Sequence, residues 1–373
     1  MRITIDATSL LLPSAGVKNY VYYWLQSLIE AAGLQGDSVS TYPPRIKLDR
    51  PVDHLGPVMG PRGTRFRLNL GGLSNLRGSP LLEILLAGTD VFHCSQHTVR
   101  TPGKVKTTAT VFDFSCWTTP QYHTDANIAA TKHYADSILR NCLGLIAISE
   151  HARRDAIDIL GLPRERVRVI YPGVADVFFN VADDDVARLR QKYGIHTPYI
   201  LFVGCIEPRK NVSCLIRAFM MLPASLRREI PLIIAGPFGW KSDEMRHLLA
   251  TEPIRYLGYV PEIDLPALFR GASVVAYPSY YEGFGFPVAQ AMAVGVPVVT
   301  SNRSCLPEVL GGGGLVVDPD SPEELASAIE RIVTCADLAR GLATQGKSRA
   351  GALYRWSLSA NKSLEMFHRV FLE

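Results

Sequence analysis

Residues 273–308 read SVVAYPSYYEGFGFPVAQAMAVGVPVVTSNRSCLPE, and this stretch restricts the chain more than any other. SVVAYPS is β-branched and apolar, the mark of a buried strand ending near Pro278. A loop rich in glycine and aromatics follows, and Pro287 stands where a first helical residue belongs, its φ preset and no amide lost. Gly295 and Pro297 stop that helix after about two turns, and Val296–Thr300 starts another strand. Strand, loop, helix and strand in this order make one unit of a parallel sheet. In such sheets ligands gather beyond the carboxyl ends of the strands, where helix N-termini also point. Glu282 is the carboxylate in that loop, flanked by Tyr280, Tyr281, Gly283 and Gly285. Acids favour helix starts for dipole reasons alone, but Glu282 lies before the helix. The glycines bracketing Phe284 let the backbone pass close to a ligand, so Glu282 is read as functional.

The same alternation runs through the rest of the chain. Arg2–Asp6 reads as a strand, and Val17, Tyr20, Val21, Trp24, Leu25 and Leu28 recur at helical spacing. Ala15 and Gly16 at that helix start can present amides to an anion. Residues 35–80, rich in Pro, Gly and Arg, read as long loops with one short helix. Beyond a helix near Leu81 come strands over 90–95 and 107–114, with Asp113 ending the second at the ligand edge. A helix over 123–143, a strand over 144–149, a helix capped by Ser149 and a strand over 167–174 complete the first half. An acidic, non-repeating link spans 176–199. The pattern restarts with PYILFVG and continues as helix 211–221, strand 231–236, helix 241–250, strand 254–258 and helix 264–270. Strands alternating with helices on both sides of a link predict an α/β protein of two doubly wound, Rossmann-like parallel sheets facing a central cleft.

Length supports that division, since 373 residues exceed one ordinary core; the split is drawn as 1–180 and 181–354. A terminal helix over 356–371 carries Trp356, Leu364, Phe367, Val370 and Phe371, enough to pack on either domain. Hydrophobic content of 47% and charge of 20% suit a globular chain, and no apolar run reaches the roughly 18 residues of a membrane span. The first residues enter a strand without the build of a signal peptide, so a cytoplasmic protein is expected. Seven cysteines, an odd number without CxxC spacing, argue against disulfides and structural zinc. The net charge of +4 makes no case for nucleic acid. Between Arg45 and Arg77, seven cations face two acids, a local net of 7 − 2 = +5, with Leu48, Leu55, Met59, Phe66, Leu68 and Leu70 interleaved. Such a stretch suits peripheral contact with anionic lipid on the inner membrane face, or an acidic acceptor; a solvated loop is the plainer reading.

GCIEPRKN lies between the strand at 199–203 and the next helix, which Asn211 can cap and whose stripe of Val212, Leu215, Ile216, Phe219 and Met220 is expected to be buried. Arg209 and Lys210 thereby stand at the positive end of a helix, where each cation costs roughly 0.3 to 1 kcal/mol. A bound anion would remove that cost, and two cations with free amides make a diphosphate clamp that needs no metal. The competing reading is that Glu207 or a distant carboxylate neutralises them.

At this point FVGCIEPRKNVSCLIRAF, IIAGPFGW, YLGYV and YPSYYEGFGFPVAQAMAVGVPVVTSNRSCLPEV resemble, in order and spacing, the C-terminal half of retaining nucleotide-sugar glycosyltransferases of the GT-B fold, glycosyltransferase family 4. SAGVKNYVYYWLQSL, AISEHARRDA and IYPGV resemble its N-terminal half. The resemblance implies transfer of a hexose or 6-deoxyhexose from a nucleoside-diphosphate sugar to a hydroxyl of a saccharide or lipid-linked saccharide, with configuration retained and no cofactor or metal. It implies polysaccharide or cell-surface glycan synthesis, an acceptor-binding first domain, a nucleotide-sugar-binding second domain, and a last helix at 355–373 that packs back on the first. Lys210 matches the family's diphosphate-binding lysine, with Arg209 beside it, and Gly16 its amide-donating loop. Glu282 matches the first acid of an E-x7-E pair that holds sugar hydroxyls. Gly283, Phe284, Gly285 and Phe286 match the turn beside the sugar, and Gly204 the strand-end glycine.

Three positions depart from the family. The second acid is Gln290, an amide that can still bond a ribose hydroxyl. The arginine after Gly204 is Cys205, and a histidine before Asp113 is Phe112. Phe112 offers no hydrogen bond to a primary hydroxyl, which points to a 6-deoxyhexose donor; His93, His97 and His123 are the alternatives for the histidine's role. In the implied front-face reaction the leaving phosphate takes the acceptor's proton, Lys210 and Arg209 neutralise it, Glu282 orients the sugar, and Asp113 lies on the acceptor side. Two rivals remain: a sugar-nucleotide epimerase or inverting transferase on the same plan, and a nucleotide-sugar-binding subunit with impaired catalysis.

Overall fold

The computed structural model describes residues 1–13, 16–48, 56–76, 79–239, 245, 248–249 and 254–373. Ala15 and most of the helix expected over 241–250 lie outside the described residues, as do 49–55 and 77–78 of the basic stretch. Contacts divide the chain into Met1–Gly173 with Trp356–Glu373, and Val174–Arg355. The sequence pattern places the first boundary at 180. The division falls earlier because Val174 bridges Arg355, and its amide donates to Tyr354 O at 2.9 Å.

In the first unit, β1 (Arg2–Asp6), β2 (Ser38–Tyr42), β3 (Val91–Cys94), β4 (Lys106–Val111), β5 (Gly144–Ala147) and β6 (Val167–Val169) form a sheet ordered β2-β1-β3-β4-β5-β6. All its pairings are parallel. The inner strands read as short apolar runs because helices cover both faces. β2 lies inside the stretch expected to be loop. As the edge strand it alternates exposed and half-buried, so its polar SVSTY carries little hydrophobic signal. The helices are α1 (Gly16–Leu34), α2 (Pro61–Ser74), α3 (Leu81–Leu85), α4 (Ser115–Thr118), α5 (Asp125–Tyr134) and α6 (Glu150–Leu160). α1 buries Tyr20, Val21, Trp24, Leu25 and Leu28 of the stripe its spacing predicts, while Val17, at the head of that stripe, is half-buried. The helix expected over 123–143 is α5 followed by a wider turn at Ala135–Leu139, and Ser149 caps α6 by accepting from Ala152 N. The C-terminal helix, Trp356–Leu372, packs on α1, where Trp24 Nε1 donates to Ser363 Oγ at 3.0 Å.

In the second unit, β7 (Ile200–Val203), β8 (Leu232–Ala235), β9 (Ile254–Gly258), β10 (Val274–Tyr277), β11 (Val298–Ser301) and β12 (Gly314–Val317) form a parallel sheet ordered β12-β11-β10-β7-β8-β9. Its helices are α7 (Asp183–Tyr193), α8 (Val212–Met221), α9 (Ala224–Glu229), α10 (Leu265–Arg270), α11 (Phe286–Val294), α12 (Leu306–Leu310), α13 (Pro322–Thr334) and α14 (Ala336–Leu353). α7 corrects the expected structureless link. Its only fully buried side chain is Leu189, so no hydrophobic stripe announces it, and Asp183, Asp184 and Asp185 sit in the first turn where the helix dipole favours them. α8 buries Val212, Leu215, Ile216 and Phe219, while Met220, expected in the same stripe, is exposed. Among the described residues no helix is long and apolar enough to cross a membrane.

The chain in this second sheet runs outward from β7 through β8 to β9, then returns to the other side of β7 at β10. Strand order therefore reverses between β7 and β10. Loops leaving two such neighbours diverge and open a crevice at their carboxyl ends.

Candidate active site

Both loops singled out in the sequence leave the strands that flank this reversal. After β7 the chain passes Gly204 and Cys205 into a short turn at Pro208–Lys210; after β10 it passes Pro278 into the Glu282 loop and α11. The loops are tied to each other: Tyr280 N donates to Arg209 O at 2.9 Å, and Arg209 Nη1 donates to Tyr281 O at 2.5 Å. Asn211 holds the α8 start without capping it as expected. It adopts the left-handed conformation, φ 54°, and its Nδ2 donates to Pro278 O at 3.3 Å and Pro319 O at 2.7 Å.

Arg209, Lys210 and Glu282 converge. Lys210 Nζ lies 2.5 Å from Glu282 Oε1, and Arg209 Nη1 lies 3.2 Å from Glu282 Oε2. Arg209 Nη2 also meets Glu207 Oε1 at 2.5 Å, so the anticipated neutralisation by Glu207 is present together with the pairing to Glu282. Tyr277, the last residue of β10, completes the group. It accepts from Lys210 Nζ at 2.8 Å and donates to Glu282 Oε1 at 3.1 Å. Sequence reasoning passed over Tyr277, although a polar ring ending an apolar strand at the ligand edge is a legible signal. Ser304 Oγ accepts from Glu282 N at 2.9 Å, and Cys305 Sγ donates to Glu282 O at 3.1 Å, fixing the acid's backbone.

Burial by itself would raise the Glu282 carboxyl, but the charges of Lys210 and Arg209 outweigh it and hold the pKa at about 2. Burial, reinforced by that carboxylate, pushes the Tyr277 phenol well above its ordinary value. Glu282 is therefore ionised and Tyr277 protonated at neutral pH. Two cations and two carboxylates, 2 − 2 = 0, sit in a nearly dry place. Burying such ions costs several kcal/mol per charge before pairing returns it, so the cluster is a poor device for stability and a good one for a ligand.

Gly285 opens α11 with φ 84°, and a Cβ there would stand 2.7 Å from Leu306 Cδ2, so only glycine carries the Glu282 loop into this helix. Phe284 turns inward, its ring 5.3 Å from both Phe286 and Tyr354, which gives it a packing role in this loop. Gly283 is buried beside Glu282, and Gln290 is half-buried on α11. Gly204 continues β7, its N donating to Ala235 O at 2.9 Å. Burial raises the Cys205 thiol. Among the described residues no three His, Cys, Asp or Glu side chains gather as metal ligands would, and all seven cysteines are free thiols.

The remaining predicted residues belong to the first unit. Asp113 Oδ1 accepts from Ser115 N at 2.9 Å and Ser115 Oγ at 2.6 Å, starting α4. Phe112 packs edge-on to Tyr20 at 5.2 Å, and Gly16 is the exposed first residue of α1. His93, one of the alternatives for the histidine's role, bonds Thr108 and Thr110 through its two ring nitrogens, both at 2.9 Å, and burial lowers its pKa to about 3.

Residues 185–349 match the family profile described as glycosyl transferases group 1. The O-antigen chain mannosyltransferase B of Escherichia coli is 35% identical over 234 residues, 61% of this chain and 61% of that protein. This chain thus spans about three fifths of that relative's length. The D-inositol 3-phosphate glycosyltransferase of Corynebacterium jeikeium (strain K411) is 30% identical over 287 residues, covering 69% of this chain and 67% of that one. Sucrose-phosphate synthase from Thermosynechococcus elongatus superposes with a TM-score of 0.75 at 20% identity, covering 100% of this chain and 99% of that one, a likeness in the GT-B fold. With the paired loops at the strand-order reversal and a relative matched over two thirds of its length, the chain belongs to the glycosyl transferases group 1 family.

Proposed function

We propose that the protein transfers a hexose from a nucleoside-diphosphate sugar to a saccharide or lipid-linked saccharide hydroxyl, with retention at the anomeric carbon, in cell-surface glycan synthesis. The observation that carries this reading is the junction of Arg209, Lys210 and Glu282 on two loops at the strand-order reversal. An incoming diphosphate competes with Glu282 and Glu207 for the two cations. Exchange of partners leaves Glu282 to bond sugar hydroxyls, so cations and acid serve opposite ends of one donor. Lys210 and Arg209 stabilise the departing phosphate charge in the place a metal takes in other enzymes. Gln290 binds the ribose, and Asp113 serves the acceptor side.

The donor is assigned as a mannose-type hexose, in line with the name of the Escherichia coli relative. The 6-deoxyhexose reading rested on Phe112, and its edge-on packing against Tyr20 accounts for that ring without reference to a donor. Peripheral contact with anionic membrane forms part of the same proposal: Phe66 and Leu73 are exposed on α2, as are Arg62 and Arg65.

Incubation of the protein with GDP-mannose, UDP-glucose and dTDP-rhamnose, each with a mannoside acceptor, tests the assignment. Transfer from GDP-mannose with an α-linked product is expected. Donor binding without transfer or hydrolysis would overturn it in favour of a binding subunit, and an inverted anomer would overturn retention.

A further inference from the structure

Of the two carboxylates that meet Arg209 and Lys210, Glu282 has work in the proposed reaction and Glu207 has none. Glu207 is also the drier, its side chain 3% exposed against 9% for Glu282. Burying a carboxylate is costly even when it is paired, and an uncharged side chain of similar size in its place is often as stable. Stability alone therefore does not account for an acid at this position.

Backbone bonds on both sides fix where Glu207 stands. Ile206 N donates to Pro237 O at 2.8 Å and Ile206 O accepts from Gly239 N at 2.9 Å, which ties the chain before Glu207 to the loop after β8. Glu207 O then accepts from Lys210 N at 3.0 Å, closing the short turn at Pro208–Lys210. A Cβ on Gly239 would lie 2.7 Å from Cys205 Sγ and 3.4 Å from Glu207 Cβ, so the loop after β8 presses on both. Held in this way, Glu207 Oε1 accepts from Arg209 Nη2 at 2.5 Å. Burial and the Glu207 charge raise the half-buried Cys205 thiol while Lys210 and Arg209 lower it, so this acid and the two cations act on one space.

With both acids in place the cluster is neutral; with Glu282 alone it would keep one net positive charge. A diphosphate carries several negative charges, and repulsion between like charges is strong where little water screens them. The product nucleoside diphosphate carries more negative charge than the donor, because its terminal phosphate has lost the sugar. An acid beside the clamp therefore disfavours product more than donor. Product release limits turnover in many enzymes, and a clamp of two unopposed cations would slow it.

We propose that Glu207 is a positioning residue that acts through Arg209, weakening the site's hold on the diphosphate so that the nucleoside diphosphate product leaves. The identity of that ligand rests on the reading under Proposed function.

Isothermal titration of the full chain with GDP, UDP and inorganic pyrophosphate tests the role. Glu207→Gln is expected to bind each ligand that the unmodified protein takes about tenfold more tightly, a change of about 1.4 kcal/mol. Glu207→Ala removes the same charge without a new amide and gains in the same direction, while Glu207→Asp keeps the charge and binds as the unmodified protein does. During turnover, inhibition of Glu207→Gln by GDP tightens by the same factor. Damage to the loop weakens binding, so a gain in either uncharged variant separates this role from a merely structural one. Unchanged or weaker binding in both, or an equal gain in Glu207→Asp, overturns the proposal. Binding that is lost in Lys210→Ala but unchanged in the uncharged Glu207 variants overturns this inference alone. No binding of any of the three ligands to the unmodified protein overturns the transferase reading, and this inference with it.

Discussion

Lys210 Nζ and Glu282 Oε1 lie 2.5 Å apart although 72 residues separate them in the chain, each the functional end of a loop from one of two adjacent parallel strands. The pair is nearly dry, with side-chain exposures of 11% and 9%. Burial by itself would raise the Glu282 carboxyl, and the charges of Lys210 and Arg209 beside it hold it well below the usual carboxylate range.

Lys210→Ala removes the cation proposed to face the leaving diphosphate. The expected result is a loss in kcat/KM of about 10²–10³-fold toward the nucleotide sugar, the size seen when one stabilising donor is deleted. Stability falls by about 1–3 kcal/mol, since Glu282 keeps Arg209 and Tyr277 but loses a charged partner. Steady-state kinetics with a thermal melt check both.

The pH dependence follows from Glu282. Its folded pKa of about 2 lies below the 4.5 of an unfolded glutamate, so the unfolded chain binds more protons between those values. The stabilisation is fully present above about pH 4.5 and is lost as pH falls toward 2, a contribution on the order of 3 kcal/mol. In urea unfolding at a series of pH values, Glu282→Gln is expected to flatten this acidic limb while leaving the slope from pH 5 to 8 unchanged.

Gly285→Ala places a Cβ at φ 84° and 2.7 Å from Leu306 Cδ2. Backbone strain of about 1–3 kcal/mol is expected, with a lower denaturation midpoint and a weaker donor complex, because the same turn presents Glu282. An unchanged midpoint would contradict a left-handed backbone at this position.

Gln290→Glu tests whether the amide limits donor affinity. The side chain is half-buried on α11, so the fold should tolerate the charge. A donor KM lower by about tenfold is expected where a charged acceptor replaces a neutral one on a ribose hydroxyl, with kcat little altered.

The legible parts of this protein were those in which local chemistry and burial point the same way. SVVAYPS, PYILFVG and PLIIAG lie in central strands covered on both faces, so apolarity announced them, and the heptapeptide EGFGFPV carried its turn and helix start in its glycines and proline. β2 escaped because an edge strand needs no apolar run, and α7 because it buries almost nothing. At the site, the cations and the acid were found by motif, and their neutralisation by Glu207 or a distant carboxylate was the competing reading; that the distant carboxylate is Glu282 was not foreseen, nor were Tyr277 and the engagement of Asn211 with Pro278 and Pro319.

By itself the order of residues determined the α/β alternation, the two sheets, the residues that bear charge at strand ends, and the family to which the chain belongs. Those features depend on short-range periodicity and on spacing along one segment. The tertiary structure decided which charges neutralise which, which carboxylate locks the loops after β1 and β3, and that Phe112 is spent on Tyr20. These relations join residues tens of positions apart in the chain, and only packing brings them together.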